Sequence, residues 1–79
     1  MTILYFAHAR RITGCAEETI AAAAPFTVDQ LWAELLSRHP GLSALRASCR
    51  LACNQQFAAA DTMIQPADEV AVIPPVSGG

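Results

Sequence analysis

Ile3-Leu4-Tyr5-Phe6-Ala7 is a continuous apolar run of strand length, rich in β-formers and apolar on both alternate faces. Ile3 and Tyr5 fall on one face, Leu4 and Phe6 on the other. A strand of this kind is buried on both sides or faces a partner. The clearest helix lies further on, where Val28, Leu31, Trp32, Leu35 and Leu36 recur at helical spacing and form one apolar stripe. Thr27, with Gln30 three positions on, makes a capping-box pattern at its start. Asp29 sits in the first turn and Arg38-His39 in the last, as the helix dipole favours, and Pro40-Gly41 stops it. One helix covers one face of a sheet, so the other face is a candidate partner surface.

The remaining segments complete the order strand, strand, helix, strand, strand. Thr13-Gly14 reads as a turn, and Glu17 to Ala24 as a weak second strand in a hairpin with the first. Leu42 to Ser48 reads as one more short turn of helix. Arg50 to Asn54 resembles a third strand, followed by a turn at Asn54-Gln55-Gln56 with Phe57 as an anchor. Gln65 to Asp68 is a turn and Glu69 to Ile73 the last strand. Pro74-Pro75 ends it, because neither proline can donate to a ladder. By pattern, Ile3, Tyr5, Val70 and Val72 face the helix, while Leu4, Phe6 and Ile73 point the other way. A one-residue slip would reverse every one of these assignments.

Size and composition agree with a surface left for a partner. At 79 residues the chain is one small domain. Of its residues 53% are hydrophobic and 15% charged, against a usual charged share of about 25%. Part of the excess is alanine, and the rest is more than one thin core needs. No run approaches the length of a membrane span, and no basic segment opens a signal peptide. The net charge is −2 and all five basic residues are arginines, so no basic stripe exists for nucleic acid. Cys15, Cys49 and Cys53 are an odd, sparse set, which points to the reducing cytosol; no metal site is expected from their spacing. His39 suits a helix C-terminus better than a nucleophilic pair with Cys49. Trp32 reads as core packing. Arg10 and Arg11 are either solvated or face acidic groups on a partner.

The carboxyl end reads Pro74-Pro75-Val76-Ser77-Gly78-Gly79. The bland reading is a frayed tail. The prolines favour an extended arm instead, which at about 3.1 Å per residue reaches roughly 15 Å from Pro75 onward. Gly78 and Gly79 make its tip slim enough for a narrow channel. The arm's only reactive group is the terminal carboxylate, a poor electrophile until it is activated, for example as a mixed anhydride with AMP. The chain has no phosphate-cradling loop, so a separate enzyme must supply the ATP chemistry.

Three stretches resemble the small-subunit family of molybdopterin synthase, whose members are ubiquitin-like sulfur carriers. They are Tyr5-Phe6-Ala7-His8-Ala9-Arg10, then Ala52-Cys53-Asn54, and finally Asp68-Glu69-Val70-Ala71 with the Pro74 to Gly79 ending. Arg11 departs from the pattern, since many relatives carry an acid there. The resemblance implies an α+β, β-grasp fold: a mixed sheet of four to five strands, one main helix on one face, and an extended flexible C-terminal tail. The domain would span 1–74 and the tail 75–79. It implies that an E1-like enzyme uses ATP to adenylate the Gly79 carboxylate and that a sulfur donor protein converts it to a thiocarboxylate. The sulfur then goes to cyclic pyranopterin monophosphate on the large synthase subunit, in a heterotetramer of two small and two large subunits. On that reading Phe6, Arg10, Ile73, Pro75, Val76, Ser77 and Gly78 contact partners, the chain binds no cofactor or metal, and it is no enzyme on its own. The alternatives are a carrier for thiazole or another sulfur-transfer pathway, or a ubiquitin-like protein modifier.

Overall fold

The computed structural model describes residues 1–75. Its elements in chain order are β1 (Thr2–Tyr5), α1 (Ala7–Thr13), β2 (Glu17–Thr19), β3 (Phe26–Thr27) and α2 (Val28–Arg38). A 3₁₀ helix (Pro40–Leu45), β4 (Arg50–Cys53), β5 (Gln56–Phe57), β6 (Met63–Ile64) and β7 (Glu69–Ile73) follow. Five strands form one sheet in the order β2-β1-β7-β4-β5, while β3 and β6 pair separately. The central pair, β1 and β7, is parallel; the outer pairings are antiparallel. This is the β-grasp arrangement, with α2 as its main helix.

The expected strand parity holds. Ile3 pairs with Val70, and Tyr5 with Val72, which in turn faces Leu51. These five side chains are at most 3% exposed, and they share the core with Leu31, Trp32 and Leu35 of α2 and Leu42 of the 3₁₀ helix. Burying each large apolar side chain contributes roughly 1.5–3 kcal/mol, so this single layer carries most of the fold's stability. The α2 capping box forms as expected. The Gln30 N–H donates to Thr27 Oγ1 at 3.0 Å, and the Thr27 N–H donates to Gln30 Oε1 at 2.8 Å.

Three expectations need correction. Ala7–Thr13 is a helix, and Gly14 is its C-cap rather than a simple turn: at φ 75° its N–H reaches the Arg10 carbonyl. A helical connection therefore separates β1 from β2, which still pair antiparallel from Thr2↔Thr19 to Leu4↔Glu17. The second strand is also shorter than expected, three residues instead of the whole Glu17 to Ala24 stretch. Phe57 is no internal anchor: it lies on the edge strand, 57% exposed. There its ring carries the Arg50 guanidinium at 4.1 Å.

Two local devices fix the sheet ends. Gly41 lets α1 approach the 3₁₀ helix, since a Cβ there would lie 2.8 Å from Ile12 Cγ2. Asn54 and Gln55 both take positive φ, 50° and 72°, in a two-residue turn closed by the Cys53↔Gln56 pair. Asparagine tolerates that region well, and here it also clasps the next turn. Its Nδ2 donates to Asp68 Oδ1 at 3.0 Å, while its Oδ1 accepts from the Glu69 N–H at 3.0 Å.

Candidate functional site: the open sheet face at the root of the carboxyl end

The strand register that buries Ile3, Val70 and Val72 turns the intervening residues outward. One row across the sheet reads Glu17, Leu4, Ala71, Ala52 and Phe57. In the next row Ile73 pairs with Arg50, and Phe6 follows β1 at the same end. Two alanines therefore lie side by side in the middle, with large side chains around them. The result is an apolar depression of about 370 Å³, lined by Leu4, Phe6, Ala52, Phe57, Ala71 and Ile73, with Gln55 and Glu69 at its margin. The lining is mainly apolar, with the Glu69 carboxylate at its margin, so the depression can seat a partner's apolar side chains.

The depression lies at the end of the sheet from which the carboxyl terminus leaves. Because β1 and β7 are parallel, Phe6 and Pro74 emerge together, and Pro75 is exposed. Among the residues predicted to meet partners, Phe6 and Ile73 line the depression and Pro75 extends from it. Arg10 stands apart on the exposed side of α1 and makes no ion pair among the described residues. Val76, Ser77, Gly78 and Gly79 lie outside the described residues. Sequence reasoning did not list Leu4, Ala52, Ala71 and Phe57 as site residues. The alternation within β1 and β7 carried the signal for Leu4 and Ala71. Ala52 and Phe57 depended on the β4–β5 register.

Behind this face a carboxylate ties three elements together. Glu18 of β2 accepts a hydrogen bond from the Tyr5 hydroxyl, and His39 Nε2 lies 2.7 Å from the same oxygen. Arg38 Nη1 sits 3.7 Å from the other oxygen. Burial alone would raise the Glu18 carboxyl, but the bonds from Tyr5 and His39 and the charges of His39 and Arg38 outweigh it and hold it below its ordinary range. The Tyr5 phenol is pushed up, first by burial and then by the neighbouring carboxylate. This network occupies His39, so the helix-end role expected for it stands.

At the opposite end Cys53 Sγ donates to Asp68 Oδ2 at 3.2 Å. Burial, then this acceptor, pushes its thiol up to about 11. The Asp68 carboxyl is held low by the Gln65 N–H, by Asn54 and by Cys53. Among the described residues no three His, Cys, Asp or Glu side chains come together as metal ligands, and no helix is long and apolar enough to cross a membrane.

Known proteins share both the sequence and the fold. A family profile described as the ThiS family matches residues 3–79. A human protein named molybdopterin synthase sulfur carrier subunit is 42% identical over 80 residues, covering 98% of this chain and 91% of that protein. The crystal structure of SAMP1 from Haloferax volcanii superposes with a TM-score of 0.84 at 26% identity, covering 100% of this chain and 98% of that one. A chain from a structure described as a protein-protein complex of subunit 1 and 2 of a molybdopterin-converting factor from Helicobacter pylori gives a TM-score of 0.68 at 23% identity, covering 99% of this chain and 96% of that one, a likeness of fold.

Proposed function

The chain belongs to the ThiS family, and from that premise we propose that it is the sulfur-carrier subunit of a molybdopterin synthase. The observation that carries the reading is an apolar depression at the root of a Gly-Gly carboxyl end. The identity to the human sulfur carrier subunit supports it. The depression is where the domain is held and recognised. Chemistry occurs at Gly79. A separate enzyme joins the Gly79 carboxylate to AMP, with pyrophosphate leaving. Sulfur released by a donor as hydrosulfide then attacks the acyl carbon and AMP leaves, giving a thiocarboxylate. The large synthase subunit seats on Leu4, Phe6, Phe57 and Ile73, receives the carboxyl end in its own pocket, and passes the sulfur to cyclic pyranopterin monophosphate. Two small and two large subunits make up the assembly.

Incubation with the activating enzyme, ATP and a sulfur source is expected to raise the intact mass by the difference between sulfur and oxygen. An unchanged mass with a demonstrably competent activating enzyme contradicts the carrier role. A chain lacking Gly79 is expected to fold and dock but not to transfer sulfur. The likeness to SAMP1 favours one second reading, a protein modifier that shares the activation step but ends in an amide bond to a lysine. Lysine-linked adducts in cells, in place of the thiocarboxylate, would establish it.

A further inference from the structure

We infer that this domain is built so that it cannot acylate itself: it presents no free amine to its own activated carboxyl end, so the acyl group passes only to other molecules. The inference rests on the reading that Gly79 becomes activated. An acyl adenylate reacts with any accessible amine to give an amide; AMP leaves with the bonding pair, and the amine proton goes to solvent. Other copies of the same chain are one source of such amines.

Across residues 1–79 the basic side chains are Arg10, Arg11, Arg38, Arg46 and Arg50, so the chain contains no lysine. Lysine is ordinarily among the commonest residues. A guanidinium stays protonated and is no acyl acceptor, whereas a lysine ammonium can shed its proton and attack. At two sites the planar fork has a local use, with Arg38 against Glu34 and Glu18, and Arg46 against Asp29 and over Trp32. Arg50 stacks on Phe57. The side chains of Arg10 and Arg11 are exposed, with no described hydrogen bond, ion pair or ring contact that asks for a guanidinium rather than an ammonium. No described contact requires arginine rather than lysine at these two places, and arginine there is inert to acylation.

The N-terminal amine and two of the three thiols are also withheld. The Met1 amine donates to the Ile20 and Pro66 carbonyls, each at 2.7 Å, and the residue is 5% exposed. Cys49 is buried, and the Cys53 thiol is held by Asp68. Cys15 is half-buried; acyl transfer to it gives a thioester, which keeps the activation and can pass it on. An acyl group on exposed His8 is lost to water. None of these leaves a stable link between chains.

The test uses the full chain with Gly79 as a thioester of 2-mercaptoethanesulfonate, kept concentrated at mildly alkaline pH. Hydroxylamine at neutral pH then cleaves remaining thioesters and spares amides. Free lysine added in a parallel sample is the outside amine. Intact mass is expected to show lysine capture by the native sequence, and no hydroxylamine-resistant self-linked product when lysine is left out. Arg11→Lys is expected to yield a two-chain product with the mass of two chains less one water, plus one NH where hydroxylamine leaves a hydroxamate at the remaining carboxyl end. A hydroxylamine-resistant self-linked product from the native sequence overturns the inference. So does an Arg11→Lys chain that self-links no more than the native one while free lysine is still captured. Because the thioester needs no activating enzyme, neither result depends on the carrier reading, which fails separately if the enzymatic mass gain is absent.

Discussion

Replacing Glu18 by Gln keeps the shape of the side chain and removes its charge. In the native fold that carboxylate accepts from Tyr5 and sits 2.7 Å from His39 Nε2, with Arg38 further off at 3.7 Å. A hydrogen bond to a charged group contributes about 1.5–3 kcal/mol and a neutral one about 0.5–1.5, so two such bonds lose roughly 2 kcal/mol together. The Glu18 side chain is 20% exposed, and water competes there. The Arg38 pair is half in solvent and contributes little. An overall loss of about 1–2 kcal/mol follows, which for a domain of this size lowers the melting temperature by roughly 5–15 °C. Urea unfolding followed through Trp32, the single tryptophan and a core residue, measures it directly. The pH dependence gives the decisive check. Folding holds Glu18 below its ordinary value of 4.5, so its contribution is fully present above that pH. It is lost as the pH falls through the lower folded value. The gap between the native and Glu18→Gln curves therefore closes as the pH falls below that value. Asp68, also held low, titrates in both proteins and cancels from the difference. A gap that stays constant down to pH 3, or none at pH 7, would show that the carboxylate does not tie the three elements together.

Three further substitutions probe the face and its supports. Phe6→Asp, at a position 46% exposed on the rim of the depression, should leave the fold intact and weaken binding to the large subunit by about 2 kcal/mol or more, roughly thirtyfold, by calorimetry; unchanged affinity contradicts the docking face. Ala71→Leu should fill the depression from its floor, hold or slightly raise the melting temperature, and reduce the same affinity at least about tenfold. Gly41→Ala places a methyl 2.8 Å from Ile12 Cγ2; since Ile12 is partly exposed and can give way, about 1 kcal/mol of destabilisation is expected in the same urea assay.

The sequence revealed what depends on short-range pattern and concealed what depends on distant pairs. The α2 stripe, its capping box and the β7 boundaries follow from residues within a few positions of one another, and all three stand. The open face was legible because Leu4, Phe6 and Ile73 have the parity opposite to Ile3, Val70 and Val72. Helix α1 was not legible: it spans seven residues, Ala9 alone is buried, and Phe6 provides no side-chain cap. Without a stripe or cap, only Gly14 marked it, and a C-cap glycine looks like any turn. Phe57 looked like an anchor because large aromatics usually bury, but its position on an edge strand leaves it beside the depression. The union of Tyr5, Glu18 and His39 joins three elements and has no local signature at all. Nor does the pairing of Ala52 with Ala71, which makes the depression and exists only once β4 has found β7.

That last dependence bears on how the protein is made. β7, the strand nearest the carboxyl end, is the central strand of the sheet, with β1 on one side and β4 on the other. Until it is in place, β1 has no parallel neighbour, β4 has no long partner, and Val70 and Val72 are missing from the core. The β1–β7 and β4–β7 pairings therefore wait for the final part of synthesis, and their closure is the slow, non-local step. A product that stops short of Ile73 cannot form the sheet and remains a target for proteolysis. The apolar depression, too, exists only once β7 is in place, because Ala71 and Ile73 are part of its lining.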